Sequence, residues 1–580
     1  MDRYLLLTSL ALFAGLGVAA CAADQPAELR FKEDFLRRLA AAVPDILKQQ
    51  DPKTGRFGSG IFIVGDQNVI FPLAAAWATK AEGNPYYHDS KLLEAIMAGG
   101  DALIDDMLPD GQWVFRKKDG STWGNIYMPW TYSRWIRAFS LVREGMPADR
   151  RKRWEDALRF GYGKIAEMQL RSVGNINTHH AMALYLAGQV FERPEWCQKA
   201  KEFMAKVVAA QSPAGFWSEH CGPVVGYGFV YVDALGHYYA LSHDESVLPA
   251  LKRAAEFHAI CTYPDGARVE TVDERSLYHS GIAPGNVGLS YTPDGRAFLA
   301  RQWALLEKRH APLSSDDLAS CLLYGQEGPT AAVDEKDSKR VLSDHKAMTW
   351  RKAPWFVCLS AYACPISKSR WHQDRQNLVS IFHDTCGLII GGGNTKLQPL
   401  WSTFTVGDVS LLKHTPGEQN PTFEPAGTLF HIPSAATLKA TEPVGLELTY
   451  GEEQCAVEVE PVDDTTLTLR LRATAKSGLP VAAHLTLMPH LGKAVTSEKG
   501  TERKLGDESF TLTSEEAGAW IAHAGWRLTL PPGSSVTWPA LPHNPYRKDG
   551  SATTGEGRLV VTIPFSAERG ECVLTLTVGA

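Results

Sequence analysis

Gly325-Gln-Glu-Gly-Pro329, followed by Val333-Asp-Glu-Lys-Asp-Ser-Lys-Arg340, is where this chain of 580 residues changes its hydrophobic period. Before it, apolar residues recur every three to four positions. Phe31, Phe35, Leu39, Val43 and Ile46-Leu47 form one such stripe, the mark of a helix with one buried face. Comparable stretches fall near 70–81, 90–106, 130–144, 149–170, 178–190, 195–211, 226–241, 245–260 and 294–308. Turn-rich breaks such as Asp51-Pro-Lys-Thr-Gly-Arg56, Pro109-Asp-Gly111 and Pro293-Asp-Gly295 separate them. After the break the period becomes two: Leu446/Leu448/Tyr450, Leu467/Leu469/Leu471, Leu485/Leu487, Leu559/Val561/Ile563 and Leu574/Leu576/Val578 alternate with polar partners. Such alternation marks antiparallel strands with one buried face. The expected fold is therefore multidomain, α then β. Helical hairpins over 27–325 curl into an incomplete (α/α) toroid, a linker covers 326–345, and a large antiparallel β-sandwich covers 346–580.

Composition narrows the function classes. Net charge is −6 and no basic stripe is present, so no nucleic-acid partner is expected. Arg3 and the apolar run Leu5–Val18 read as a signal peptide over 1–21, too short to span a bilayer. Val18-Ala-Ala-Cys21 resembles a bacterial lipobox, and an ordinary cleavage site at Ala20-Cys-Ala22 is the alternative. Either makes the mature protein exported, to the periplasm, the outer membrane or the medium, with a lipid on Cys21 as its only membrane contact. The ten cysteines contain no CxxC pair, and some are expected to be disulfide-bonded outside the cytosol.

Two stretches carry chemistry. Asn175-Ile-Asn-Thr-His-His180 precedes a helical run, and Glu219-His-Cys-Gly-Pro-Val-Val-Gly-Tyr-Gly228 opens the next one but one. Asn177, His179, His220 and Tyr227 supply an amide, imidazoles and a phenol at helix ends. Trp113, Trp123, Tyr127, Trp130, Tyr132 and Trp135 crowd one region with Arg116, Asn125 and Arg134. Flat apolar rings beside hydrogen-bonding groups suit pyranose faces. The sequence holds no P-loop, no GxSxG and no dinucleotide fingerprint. His372, Asp374, His383, Asp384 and His414 are metal-ligand types without diagnostic spacing, so no cofactor is required, although a structural divalent cation has donors available.

His220-Cys-Gly-Pro223 followed by Gly226-Tyr-Gly-Phe-Val-Tyr231 resembles the His-Gly-Pro-Gln…Tyr-Gly segment of the toroid-plus-sandwich polysaccharide lyases. That group includes the chondroitin AC and hyaluronate lyases, alginate lyases and heparinase II/III-like enzymes. Asn177-Thr-His179 is similar to their Asn-containing loop, and Gly295-Arg-Ala-Phe-Leu-Ala-Arg301 to their Gly-Arg…Arg stretch. Cys221 is an insertion, and the spacing from His220 to Tyr227 is shorter than theirs. Arg370-Trp-His-Gln-Asp-Arg-Gln-Asn377 lies where such enzymes send polar residues from the sandwich into the cleft.

The resemblance implies β-elimination at a uronic acid of an acidic polysaccharide or oligosaccharide. Asn177, Arg296, Arg301 or a protonated His would neutralise the carboxylate. His220 or His179 would take the proton, and Tyr227 would serve as acid, base or both. Trp123, Asn125, Tyr127, Trp130, Arg134, Arg275, His372, Arg375 and Asn377 are the expected substrate contacts. Two other readings stay open. A glycoside hydrolase needs facing carboxylates, for which Asp110, Asp119, Glu219 and Asp233 are available. A glycan-binding surface lipoprotein needs only the aromatics and the anchor.

Overall fold

The structure is a computed structural model, and it describes residues 27–579 apart from 59–62, 117–120 and 335. The expected signal peptide and Cys21 lie outside these residues. Eleven helices of nine or more residues run from Lys32–Leu47 to Ser315–Tyr324 among the described residues. They pack as hairpins around one apolar core. Large rings fill its middle: Trp113, Trp135, Trp154, Tyr132 and Tyr162 are each nearly or fully buried, and each such side chain contributes ~1.5–3 kcal/mol of burial. Trp113 donates to the Leu103 carbonyl and Tyr162 to that of Tyr132, whereas Trp135 Nε1 has no hydrogen-bond partner.

Two antiparallel sheets follow. One has eleven strands, running through Phe510–Thr513, Ser535–Ala540, Arg558–Phe565, Val481–Leu487 and Gly387–Ile390 to Asp337–Val341 at its edge. The other has nine, from Ala435–Lys439 through Thr466–Ala473 and Glu571–Val578 to Glu502–Lys504. Their inward residues, among them Ile381 and Leu485 on one sheet and Leu446 and Leu469 on the other, share a single core, as face-to-face packing requires. The chain is thus an incomplete (α/α) toroid followed by a large antiparallel β-sandwich.

The linker reading of 326–345 needs correcting. Asp337–Val341 is a paired strand, and Gly328–Pro329 pairs with Glu28–Leu29. Glu327 accepts hydrogen bonds from the Phe31 and Lys32 amides, which caps the first helix. The connecting segment therefore clasps the stretch around Glu28–Lys32 rather than hanging free.

The two halves meet through an apolar seam. Phe216, Val225, Phe257 and Tyr263 from the helical layer pack on Phe356, Cys358, Tyr362 and Phe382 from the sandwich. Polar ties cross beside it: Tyr263 donates to Ser380, the Gly392 amide to Glu270, and Asn394 to the Asp273 carbonyl. Loops from both halves are thereby held against one another, and the candidate site lies among them.

Candidate active site

The segment after Trp217 does not continue as a helix. Ser218 bridges to Pro223, and the Gly222 amide donates to the Ser218 hydroxyl. This tight loop presents His220 on its outside, with 32% of the side chain exposed. Gly222 has φ +148°, and a Cβ there would lie 2.9 Å from Arg375 Nη2. Only glycine lets the sandwich arginine pass so close.

Glu274 organises what lies behind His220. It is 1% exposed and faces His220 Nδ1 at 2.7 Å, Arg375 Nη2 at 3.1 Å and the Cys221 amide at 3.2 Å. A carboxylate beside a guanidinium accepts, so Nδ1 of His220 is the donor to Glu274, and Nε2 is the ring nitrogen turned away from it. A disulfide joins Cys221 to Cys364 across the two halves, with Cα atoms 5.9 Å apart.

The sandwich contributes a second imidazole. His372 stacks on His220 with ring centroids 4.2 Å apart, and its Nδ1 lies 3.2 Å from the Ser367 hydroxyl. Burial, then the neighbouring His220, hold His372 below its usual pKa, so it is neutral at physiological pH. Arg275 places its guanidinium 5.2 Å from the Tyr227 ring centre and 5.7 Å from that of Trp371. Burial raises the Tyr227 pKa, with Arg275 opposing, so the phenol keeps its proton in the unliganded protein. Trp371 also meets Tyr546 and Trp123, with centroids 5.5 Å apart in each pair. Trp123 is 50% exposed, on a hairpin strand (Thr122–Ile126) of the helical half. A run of rings thus crosses from one half of the molecule to the other.

The structure sorts the expected site residues into three groups. His220, Tyr227, Arg275, His372 and Trp123 lie together as described. A second group, Trp130, Arg134 and His179, lines a separate cavity of about 560 Å³ beside the first turn of the helix Val225–Ser242. His179 is 2% exposed and held well below its usual pKa by burial. Arg134 is spent on a two-pronged bond to Asp316 at 2.8 and 2.6 Å.

The third group is placed elsewhere, which corrects the roles expected for it. Arg296 is 5% exposed and donates to the Ser290 and Pro329 carbonyls. Arg301 donates to the Tyr263 and Pro264 carbonyls, at a different cavity between helices and sandwich. Arg375 is buried behind Glu274 and also bonds the Val272 and Pro223 carbonyls, so it positions rather than contacts substrate. Asn377 is buried on Thr486 and Tyr127 on the Asp110 carbonyl. Asn125 is exposed on the hairpin. Asn177 turns its amide to the Ser172 carbonyl. Its neighbour Asn175 instead reaches Glu219 at 3.2 Å, which also accepts from Tyr231.

Glu274 and Trp371 were missed although both lie inside stretches rich in polar residues, Val272–Ser276 and Arg370–Asn377. Tyr546 had no signal at all. Of the candidate metal ligands, Asp374 is buried against Lys396 at 3.1 Å and His431 at 3.0 Å. Asp384 pairs with Arg351, His383 faces the Asp464 carbonyl, and His414 that of Asp549. These residues do not converge. His220, Glu274 and His372 do bring ligand atoms within 4.8 Å of one another, but the Arg375 charge on Glu274 opposes a cation there. For the hydrolase reading, Glu219 sits beside Tyr231, Asp233 lines the second cavity, and Asp119 lies outside the described residues.

No family model matches the sequence, and no curated protein matches it. Solved structures do. The chondroitin AC lyase of Streptomyces coelicolor A3, in complex with chondroitin sulphate, is 14% identical with a TM-score of 0.51, over 94% of this chain and 79% of that one. Heparinase III is 13% identical with a TM-score of 0.50, over 88% of this chain and 76% of that one. At such identities the likeness is one of fold, and it spans both halves: this chain has the toroid-plus-sandwich architecture of those polysaccharide lyases.

Proposed function

We propose that the protein is a polysaccharide lyase that cleaves a uronic-acid-containing glycan by β-elimination. The observation that carries this is the meeting of His220 from the toroid with His372 from the sandwich, stacked beside Tyr227 and Arg275. Nε2 of His220 takes the proton from the carbon next to the sugar carboxylate. The electron pair left behind forms the carbon–carbon double bond as the glycosidic carbon–oxygen bond breaks. The departing oxygen takes the Tyr227 proton, consistent with a phenol that is neutral in the resting protein. Arg275, with the Asn175 amide nearby on Glu219, faces the negative charge that builds on the carboxylate. Glu274 stabilises the imidazolium formed on His220, and Arg375 holds that carboxylate in place. The ring run Trp123–Trp371–Tyr546 supports stacking of neighbouring sugars.

We further propose export, with Cys21 as the anchored residue. The Cys221–Cys364 bond supports an oxidising compartment. The test is incubation with a panel of uronate glycans, followed by the ultraviolet absorbance of the new unsaturated ends. New reducing ends without that absorbance would establish hydrolysis instead, and binding without cleavage would leave a lectin-like protein.

A further inference from the structure

The cavity of about 560 Å³ beside Gly226 is not used by the elimination chemistry, yet it is furnished as a sugar site. Its volume falls in the range of small-ligand pockets, ~300–1,000 Å³. Trp130 and Phe229 give it apolar faces. His179 lies in its wall, 2% exposed, and neither ring nitrogen makes a hydrogen bond. Its Nε2 stands 3.7 Å from Asp233, too far for a direct bond. A buried imidazole without partners is costly unless a ligand group completes it.

Arg268 lines the same cavity, partly exposed, and its side chain makes no hydrogen bond or ion pair among the described residues. Its charge acts on Asp273, but that carboxylate is already bonded by the Val225, Arg275 and Ser276 amides. The first of these bonds ties the Val225 amide, at the start of the helix, to Asp273. The carboxylates of the wall are also engaged: Asp316 by Arg134, Asp233 by His237, Asp317 by Ser314. Among the described residues that line the cavity, Arg268 is thus the guanidinium whose donors remain free, and His279 lines the same cavity. Gly226 makes room for it. A Cβ there would lie 2.5 Å from Arg268 Nη1, and the Gly226 backbone is helical with no positive φ.

We propose that this cavity is a subsite for a sugar next to the cleaved uronate, and that Arg268 reads a second acidic group on it. The inference rests on the lyase reading. It narrows the substrate to glycans in which acidic groups occur on successive residues: a run of uronates, or a uronate beside a sulfated sugar. The shared chemistry is a planar or tetrahedral oxyanion held by two guanidinium donors.

The experiment measures binding by calorimetry in a Tyr227→Phe background, so turnover does not interfere. The probes are an oligouronate, an alternating uronate–amino sugar oligosaccharide without sulfate, and its sulfated form. Arg268→Gln is expected to weaken binding of one acidic-neighbour probe ~10-fold or more, the scale of a charged hydrogen bond, and to leave the unsulfated alternating probe within ~2-fold. Loss on the oligouronate alone assigns a carboxylate, and loss on the sulfated probe alone assigns a sulfate ester. Gly226→Ala should reproduce the effect by displacing Arg268, and it serves if Arg268→Gln fails to fold. Equal weakening of all three probes, or of none, overturns the proposal. If the parent protein cleaves none of these glycans, the elimination reading fails, while the binding ratios still decide the role of Arg268.

Discussion

His220 and His179 are imidazoles of the same helical layer, and each faces a carboxylate. Their surroundings make them different reagents. His220 sits on a loop, a third exposed, with Glu274 fixing one nitrogen and the other free. His179 sits within the helix Asn175–Val190, buried, unbonded, and held neutral by desolvation. The first can take a proton and be stabilised when charged. The second can hold a hydroxyl but resists protonation. Position relative to a base's partners, rather than residue type, separates chemistry from recognition.

The strongest way to break that contrast is to remove the Tyr227 hydroxyl, the proposed acid. Tyr227→Phe should cut turnover by ~10³-fold while substrate binding stays within about twofold; a variant retaining full activity would take Tyr227 out of the mechanism. Glu274→Gln should lower kcat by ~10²-fold, because His220 loses its orienting carboxylate. It should also reduce stability by ~3–5 kcal/mol, since buried Arg375 loses the carboxylate it is hydrogen-bonded to. Unchanged kcat with lowered stability would make Glu274 purely structural.

A pH titration separates the two kinds of histidine. Burial holds His180, His258 and His484 at about 3 in the folded protein. The folded-state values lie below the unfolded one, so their contribution is present above about pH 6.5 and is lost as pH falls towards about 3. Each group costs on the order of 1.4 kcal/mol per pH unit in that window. Thermal unfolding should therefore move steadily down below pH 6.5. A flat Tm between pH 6.5 and 4.5 would contradict this burial. The smallest effect sharpens the first turn of one helix: Asn177→Ala should change kcat less than twofold, whereas Asn175→Ala should lower it about tenfold. The reverse order would restore Asn177 to the site.

Much of the fold was legible because periods of 3.6 and 2 survive in the buried residues whatever the loops do. The failure at 337–341 has a physical cause. Asp337, Lys339 and Arg340 lie on an edge strand, where charge protects against pairing with other chains and mimics a linker. Within the site, the turn around Gly222 and Pro223 exposed His220 and Tyr227 to view. Arg296 and Arg301 did not differ in sequence from a cleft arginine, because nothing local says whether a helical guanidinium meets a carbonyl or a ligand. Asn175 and Asn177 are two residues apart in one helical turn and so point to different sides. Arg268 was not singled out, since its significance is the absence of a partner, which only three dimensions reveal.

The covalent tie between Cys221 and Cys364 spans 143 positions of sequence and fastens the His220 loop to the opposite half. Protein retained in a reducing cytosol would lack it, and so would carry its helices and sheets without a settled reaction centre. Under the proposed elimination, a laboratory preparation made in the cytoplasm should gain specific activity when air-oxidised.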